Sequence, residues 1–325
     1  MDVKILSGDF KLRCVLDSFN ALTFSESFNE AGQLFLSVPF ERKIYDSLDT
    51  PCRILIDSRL FGVDKVSATE SEIRVWGSGI LKELSEFYIS LPETSTASPC
   101  DLLCSFASRA SFDGVRYRVN YVTESDQRVV ESYDWCSDLY TVMTQICFDH
   151  SIGMKMTFDF SLLELVFTPL TMRDRASNDA TLFTTISDDH GSYIKIESVC
   201  DSSEYKNQVE LIYRMEGDGE LESYLFSRRQ INESVRGYIE HPGIIARTPT
   251  AKAMALDARA RQVFKEHRKK RYFKITSAHP LHCQLGDYCI IKSNILGESE
   301  YALLTQFKST LVDGVTSESL LFEVI

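Results

Sequence analysis

Between Ser18 and Phe40 apolar and polar residues alternate with a period of two. Leu22 and Phe24 share one face up to a turn at Asn29-Glu30-Ala31-Gly32, and Leu34, Leu36, Val38 and Phe40 share one face after it. This spacing on both sides of a glycine-containing turn predicts an antiparallel hairpin with one buried face. Its polar residues are Ser, Asn, Gln and Glu on the opposite face, so the stretch is architecture rather than chemistry. Residues 1–79 continue the pattern. Phe10, Leu12, Cys14 and Leu16 alternate with Lys11, Arg13 and Val15, runs at 52–56 and 60–66 flank Asp57-Ser58-Arg59, and Ile73-Arg-Val-Trp-Gly77 closes the series. Short strands with Gly, Asp and Ser at the turns suggest a barrel or sandwich. A short helix over 80–87 follows the Gly77-Ser-Gly79 break.

The pattern changes at residue 92. Pro92 to Pro99 reads as a polar linker. Ser98 and Pro99 then form the N-cap and first position of a helix to about residue 110, with Leu102, Leu103, Phe106 and Ala110 at helical spacing. A second helix is predicted over 135–150, ended by Gly153, and strands follow at 154–158 and 162–167. Residues 92–180 are therefore expected to form an α+β domain. From 181 the strand pattern returns, with a long hairpin over 207–227 turning at Gly217-Asp-Gly219 and later strands at 272–276, 288–292, 302–310 and 317–324. A helix over 249–271 interrupts it, capped by Thr248-Pro249, with Leu256, Ala260, Val263, Phe264 and His267 on one stripe. The expected fold is mainly β with an α+β insert, divided 1–91, 92–180 and 181–325.

At 325 residues, 44% hydrophobic and 25% charged, the chain has the composition of a globular protein of two or three domains. No apolar run reaches the length of a membrane span, and residues 1–10 lack the features of a secretory leader. Synthesis and folding in a host cytoplasm are expected. Nine scattered cysteines, several inside apolar runs, read as reduced buried thiols rather than a disulfide framework. The net charge of −12 opposes general duplex binding. Residues 249–271 depart from it, with eight Lys and Arg against two Asp and Glu, a local +6 that leaves −18 elsewhere.

Candidate chemistry is sparse. Cys100 and Cys104 share a helical face, but zinc would need two further ligands, and His150 supplies at most one. His279, His282 and Cys283 are close in sequence, yet on a strand the two imidazoles point to opposite faces. Ser187-Asp188-Asp189-His190 has turn composition, where Asp and Ser bond the backbone. Arg228-Arg229 lacks a stacking platform for nucleic acid, and Gly77-Ser-Gly79 lacks the third glycine of a phosphate loop. The run Arg268-Lys269-Lys270-Arg271 is placed at the C-terminal end of the long helix, where the dipole favours cations, and is the candidate for docking on an acidic neighbouring subunit. No catalytic, cofactor or metal residues are assigned, and no enzyme activity is expected.

Four segments carry a resemblance. They are Phe28-Asn-Glu-Ala-Gly32, the stretch Val-Trp-Gly-Ser-Gly-Ile-Leu-Lys-Glu-Leu over 75–84, Ser202-Ser-Glu-Tyr-Lys-Asn207-Gln-Val, and Leu285-Gly-Asp-Tyr288. In this order they resemble the baseplate hub proteins of phage tails, including the N-terminal hub part of siphophage tail-associated proteins. Where that family often has arginine after the short helix, this chain has Glu86 and Phe87. The resemblance implies two tail-tube-like β-barrels, over 1–91 and 181–325, around an α+β insert. It implies a homotrimeric ring with pseudo-sixfold symmetry in the virion tail, joining a hexameric tube or distal-tail ring to a tail tip or spike. Genome would pass through without specific binding, which the acidic charge suits. The alternatives are a receptor- or carbohydrate-binding module of the tail tip and a tail-associated cell-wall hydrolase. A hydrolase domain is expected to follow a hub, and this chain ends on a strand.

Overall fold

The structure, a computed structural model, describes residues 2–49, 51–89, 93–122, 129–133, 137–176, 185–190, 193–215, 221–230, 233–245, 249–277, 281, 283–312 and 314–324. The protein is mainly β, with a large, mostly antiparallel sheet and an α+β insert. Two compact units are present: Met1–Glu197 with Phe273–Ile325, and Ser198–Tyr272.

The larger unit opens with β1 (Val3–Ser7), β2 (Leu12–Leu16), β3 (Ala21–Ser27) and β4 (Gln33–Pro39). The β3–β4 hairpin has the expected register, Leu22 opposite Leu36 and Phe24 opposite Leu34, with all four side chains buried. Phe40 departs from its predicted face because β4 stops at Pro39. It is half exposed and rests on Tyr45 of a short helix, α1 (Arg42–Ser47), that the alternation does not reveal. Leu12, at the start of the edge strand β2, is also exposed, whereas Cys14 and Leu16 are buried. β5 (Cys52–Ile56), β6 (Arg59–Ala68) and β7 (Glu72–Gly79) follow, and a 3-10 helix over Ile80–Glu86 takes the place of the predicted short helix.

The insert begins with a difference. The presumed linker contains β8 (Glu93–Ala97), which pairs antiparallel with β10 (Val129–Tyr133). Between them lie α2 (Pro99–Ala107) and β9 (Arg116–Val119). Ser98 caps α2 as expected, its Oγ accepting from the Asp101 amide at 3.1 Å. The next helix, α3 (Leu139–His150), starts later than predicted because Asp138 is its cap, accepting from the Thr141 amide at 2.8 Å. It ends at Ser151, which takes the left-handed conformation (φ 55°), two residues before the Gly153 that the sequence marks as its end. Gly153 instead begins β11 (Gly153–Asp159), which pairs with β12 (Glu164–Leu170). One apolar cluster joins α2, α3, β11 and β12 to Leu6, Phe10, Leu55 and the 3-10 helix.

β13 (Arg173–Asp174), β14 (Thr185–Ser187) and β15 (Lys195–Asp201) lead toward the smaller unit, which holds β16 (Gln208–Met215), β17 (Leu221–Ser227), β18 (Gly237–Ile245) and α4 (Pro249–Glu266). Its sheet runs β17-β16-β18, with β16 and β18 parallel. Val209, Leu211 and Tyr213 of β16 bury against Leu256, Ala260, Val263 and Phe264 of α4, the stripe read from the sequence. The Thr248 cap and the Gly217–Gly219 turn lie outside the described residues. α4 stops at Glu266, short of the predicted 271. The His267 carbonyl just beyond it is taken by the Lys206 amide at 2.9 Å, and Lys270 already begins the next strand.

The chain returns through β19 (Lys270–Ser277) to β20 (Asp287–Ser293), β21 (Glu298–Val312) and β22 (Val315–Val324). Among the described residues the large sheet has 14 strands, with the path β15-β19-β22-β21-β3-β4-β7-β6-β5-β1-β2 and with β13, β14 and β20 attached beside it. Two β regions far apart in sequence are therefore one hydrogen-bonded sheet, joined where Gln306–Val312 of β21 pairs with Ser27–Ala21 of β3.

Candidate functional site

Three of the four segments that carry the resemblance, those at 28–32, 75–84 and 285–288, come together near Phe28, just after β3. Its amide donates to the carbonyl of Thr305, the residue skipped where the β21–β22 register slips, at 2.8 Å. Its carbonyl accepts from the Met154 amide at 2.8 Å, so the opening hairpin, the C-terminal strands and the insert share one buried residue. Gly286 packs on the same ring. With φ +87° and a hypothetical Cβ only 2.7 Å from Phe28 Cε2 and 2.9 Å from the Thr171 carbonyl, this position excludes a side chain on two grounds. Gly32 and Gly79 make the second close approach. The Gly79 amide donates to Gly32 O at 2.8 Å, and a Cβ on Gly32 would sit 1.9 Å from the Ser25 carbonyl.

Beside Gly286, Asp287 is fully buried and flanked by Arg173 (2.7 Å) and Arg175 (3.1 Å). A buried carboxylate between two guanidinium groups and the Gln284 amide (2.8 Å) is a structural clamp. The sequence reading missed it, although Arg173-Asp-Arg175 carries a signal: arginines two apart project from the same side of a strand. Glu83 of the 3-10 helix makes a bidentate pair with Arg53 at 2.9 and 2.7 Å, with the guanidinium over the Phe10 ring at 4.1 Å. In the smaller unit Asn207 is fully buried. Its side chain donates to Ser234 O at 2.9 Å and accepts from the Arg236 amide at 2.8 Å, pinning the segment before β18 to the start of β16.

The sequence-level candidates for chemistry separate. Cys100, Cys104 and Cys147 are buried in the insert's core, where burial pushes the Cys104 thiol up to about 11 and raises Cys147 further. Among the described residues no group of three His, Cys, Asp or Glu side chains is placed to hold a metal ion. His279 and His282 lie outside the described residues. Asp188 and Asp189 brace the β20–β21 turn: Asp188 accepts from the Asn294 amide at 2.9 Å, and Asp189 binds Lys292 at 2.8 Å and Asn294 Nδ2 at 2.7 Å. Burial raises Asp188, but the Ile295 and Asn294 amides outweigh it and hold the carboxyl below its ordinary range. This is the backbone-bonding role expected of turn aspartates.

Arg228 lies over the Phe264 ring of α4 at 4.7 Å. In the basic run, Arg268 and Lys269 fall between α4 and β19 and Lys270 and Arg271 belong to β19, which corrects their placement on a helix end. Lys269 is 3.5 Å from Glu233, and its ammonium sits 4.5 Å from the centre of the Tyr205 ring. A groove of about 590 Å³ bounded by Asp46, Asp49, Asp64 and Lys65 gathers three carboxylates beside one lysine.

No family model matches the sequence, and no curated protein does. Solved structures do match. The tail protein from Neisseria meningitidis aligns with TM-score 0.59 at 10% identity, over 99% of this chain and 96% of its own. Prophage tail protein gp18 from Listeria monocytogenes aligns with TM-score 0.56 at 13% identity, over 99% and 94%. The 43 kDa tail protein of prophage MuSo2 from Shewanella oneidensis gives 0.56 at 12%, over 99% and 98%. The chain thus has the fold of phage tail proteins along its whole length.

Proposed function

We propose that this chain is a structural hub subunit of a phage tail or a related particle. Three copies form a ring that joins a hexameric tail tube or distal-tail ring to the tail tip or spike, and the genome passes through its centre. One observation carries the reading: the fold likeness covers nearly all of this chain and nearly all of three tail proteins. The buried Asp287 clamp and the junction at Phe28 support it, because their polar groups are spent on holding elements together. The acidic net charge fits a lumen that DNA slides through without adhering. Arg268, Lys269, Lys270 and Arg271 are the contact to an acidic face of a neighbouring subunit.

The test is molar mass by light scattering across a concentration series, with negative-stain images of the same fractions. Trimers or open rings are expected. A chain that stays monomeric alone and with a purified tube or distal-tail partner overturns the reading. Reversing the four basic residues to Glu should weaken assembly at low salt, where screening is least, with circular dichroism confirming that the fold survives loss of the Lys269–Glu233 pair. Unchanged assembly would remove the basic run from the interface.

A further inference from the structure

The face of the large sheet opposite the core of its opening strands carries a groove of about 290 Å³ across β21, β3, β4 and β7. Alternation puts it there. Leu34, Leu36 and Val38 of β4 enter the core, so Gln33 and Phe35 stand on the other face. Phe35 lies opposite Trp76 of β7, with ring centroids 5.7 Å apart and planes tilted by 54°, and both side chains are partly exposed. Ser25 of β3 lies opposite Lys308 of β21, and its Oγ accepts from the Gln33 amide at 3.1 Å, which leaves the hydroxyl hydrogen to donate. Gln306 also lines the groove. Among the described residues, the side chains of Gln33, Gln306 and Lys308 make no hydrogen bond or ion pair, and no carboxylate lines the groove. Asp287 and Asn207 spend their polar groups on neighbouring elements; these three do not.

We propose that this groove binds an acidic sugar, a pyranose ring that carries a carboxylate. A pyranose offers C–H faces that pack on aromatic rings, and hydroxyl groups around its edge that must be hydrogen-bonded once water is displaced. Phe35 and Trp76 supply the apolar surface, the two glutamine amides donate and accept, and the Ser25 hydroxyl donates. The Lys308 ammonium takes the carboxylate, since a groove with one cation and no acid complements a single negative charge. The volume is at the small end of ligand sites, which begin at roughly 300 Å³, and suits one sugar ring. Nucleic acid would use the same rings, but binding a single strand also takes a positive groove that follows several phosphates. Here one lysine lines the groove, Lys65 lies outside it at 5.1 Å from the centre of the Trp76 ring, and the chain carries −12. The groove crosses the pairing of β3 with β21, so a bound sugar adds contacts across that joint and raises the unfolding temperature. This binding is additional to the structural role proposed above and does not rest on it.

The chain has two tryptophans, Trp76 and Trp135, so Trp135→Phe leaves the indole of the groove as the sole fluorescence reporter in the full-length protein. Glucuronic acid, N-acetylmuramic acid, glucose and thymidine monophosphate are titrated at fixed pH and ionic strength, with thermal unfolding followed in parallel. Both acidic sugars should change the Trp76 emission saturably and raise the unfolding temperature, and the tighter of the two tells a uronic acid from a lactyl-substituted amino sugar. Glucose should bind roughly tenfold more weakly, the worth of one charge-assisted hydrogen bond. Lys308→Gln should bring the acidic sugars down to the glucose level. Phe35→Ala should weaken all three sugars, and Phe35→Leu, which keeps apolar bulk without a ring, should do the same while circular dichroism reports on the fold of each variant. No saturable response to either acidic sugar, equal affinity for glucose, or full binding by Lys308→Gln overturns the proposal. So does thymidine monophosphate binding more tightly than the sugars, which would make the groove a nucleotide site. The readout is the same for a monomer or a ring, so its failure is distinct from failure of the assembly.

Discussion

At the scale of single residues, the positions that matter most are those where backbone and side chain leave no alternative. Gly286 and Gly297 both have positive φ, +87° and +67°, but only Gly286 is crowded, since nothing lies within 4 Å of a Cβ placed on Gly297. Alanine at either meets the left-handed penalty of roughly 1–2 kcal/mol. At Gly286 it also meets the Phe28 ring and the Thr171 carbonyl, and overpacking of that kind adds roughly 1–3 kcal/mol. Denaturant unfolding of Gly286→Ala and Gly297→Ala should therefore show the first as clearly the less stable. Equal losses would mean that Phe28 yields freely. Asp287 gives a second case. Asp287→Ala leaves Arg173 and the largely buried Arg175 facing an apolar site, and removing one partner of a buried pair costs roughly 3–5 kcal/mol. A loss below about 1 kcal/mol in the same assay would show the clamp to be solvated.

Among elements, α4 shows how a helix is both specified and tethered. Its apolar stripe packs on β16, and Arg259 reaches Glu240 of β18 with both terminal contacts at 2.8 Å while also meeting Glu266 at 3.2 Å. The Arg259 hydrogen bonds hold the Glu240 carboxyl below its ordinary range, against partial desolvation. A folded-state pKa below the unfolded one means the unfolded chain binds more protons as pH falls. The stabilisation is therefore complete above about pH 4.3, the unfolded value for Glu, and is lost as pH drops through the lower folded value. Hydrogen exchange in α4 should rise over that acid range in the native protein. In Glu240→Gln it should already be higher at neutral pH and vary less with acid. An unchanged acid profile would remove the pair from the helix's stability. Local signals of this kind are what the sequence displays well: the β3–β4 register, the Ser98 cap and the α4 stripe all come from spacing within twenty residues or so. Ends are harder to read, because apolar spacing does not encode the bonds that fix them. α3 starts where Asp138 accepts from the Thr141 amide three residues on, and α4 yields to β19 where the distant Lys206 amide takes the His267 carbonyl.

For the whole molecule, what could not be read was the pairing between β3 and β21, separated by almost the entire chain. Strand alternation announces a buried face but is silent on which strand lies alongside, so the two β regions read as separate bodies. The seam has side-chain content that makes its role testable. Phe307 of β21 packs on both β cores, 6.2 Å from Phe24 of β3. Arg59 covers both rings, at 5.2 and 5.9 Å, while it pairs with Glu26 at 2.5 Å. Glu26 faces Phe307 across the ladder and also meets Lys155 of the insert at 3.3 Å. Removing the Phe307 ring opens a cavity on the joint itself, at a cost of roughly 3–5 kcal/mol for a buried ring and less for this partly covered one. If the sheet is one cooperative body, Phe307→Ala will raise hydrogen exchange together in Gln33–Pro39 on one side and Val315–Val324 on the other. If each β region is stable alone, only the strands touching residue 307 will respond, and β4 will keep its native protection. The first outcome makes the sheet a single cooperative plate, so that a load on the C-terminal strands is felt directly by the opening hairpin.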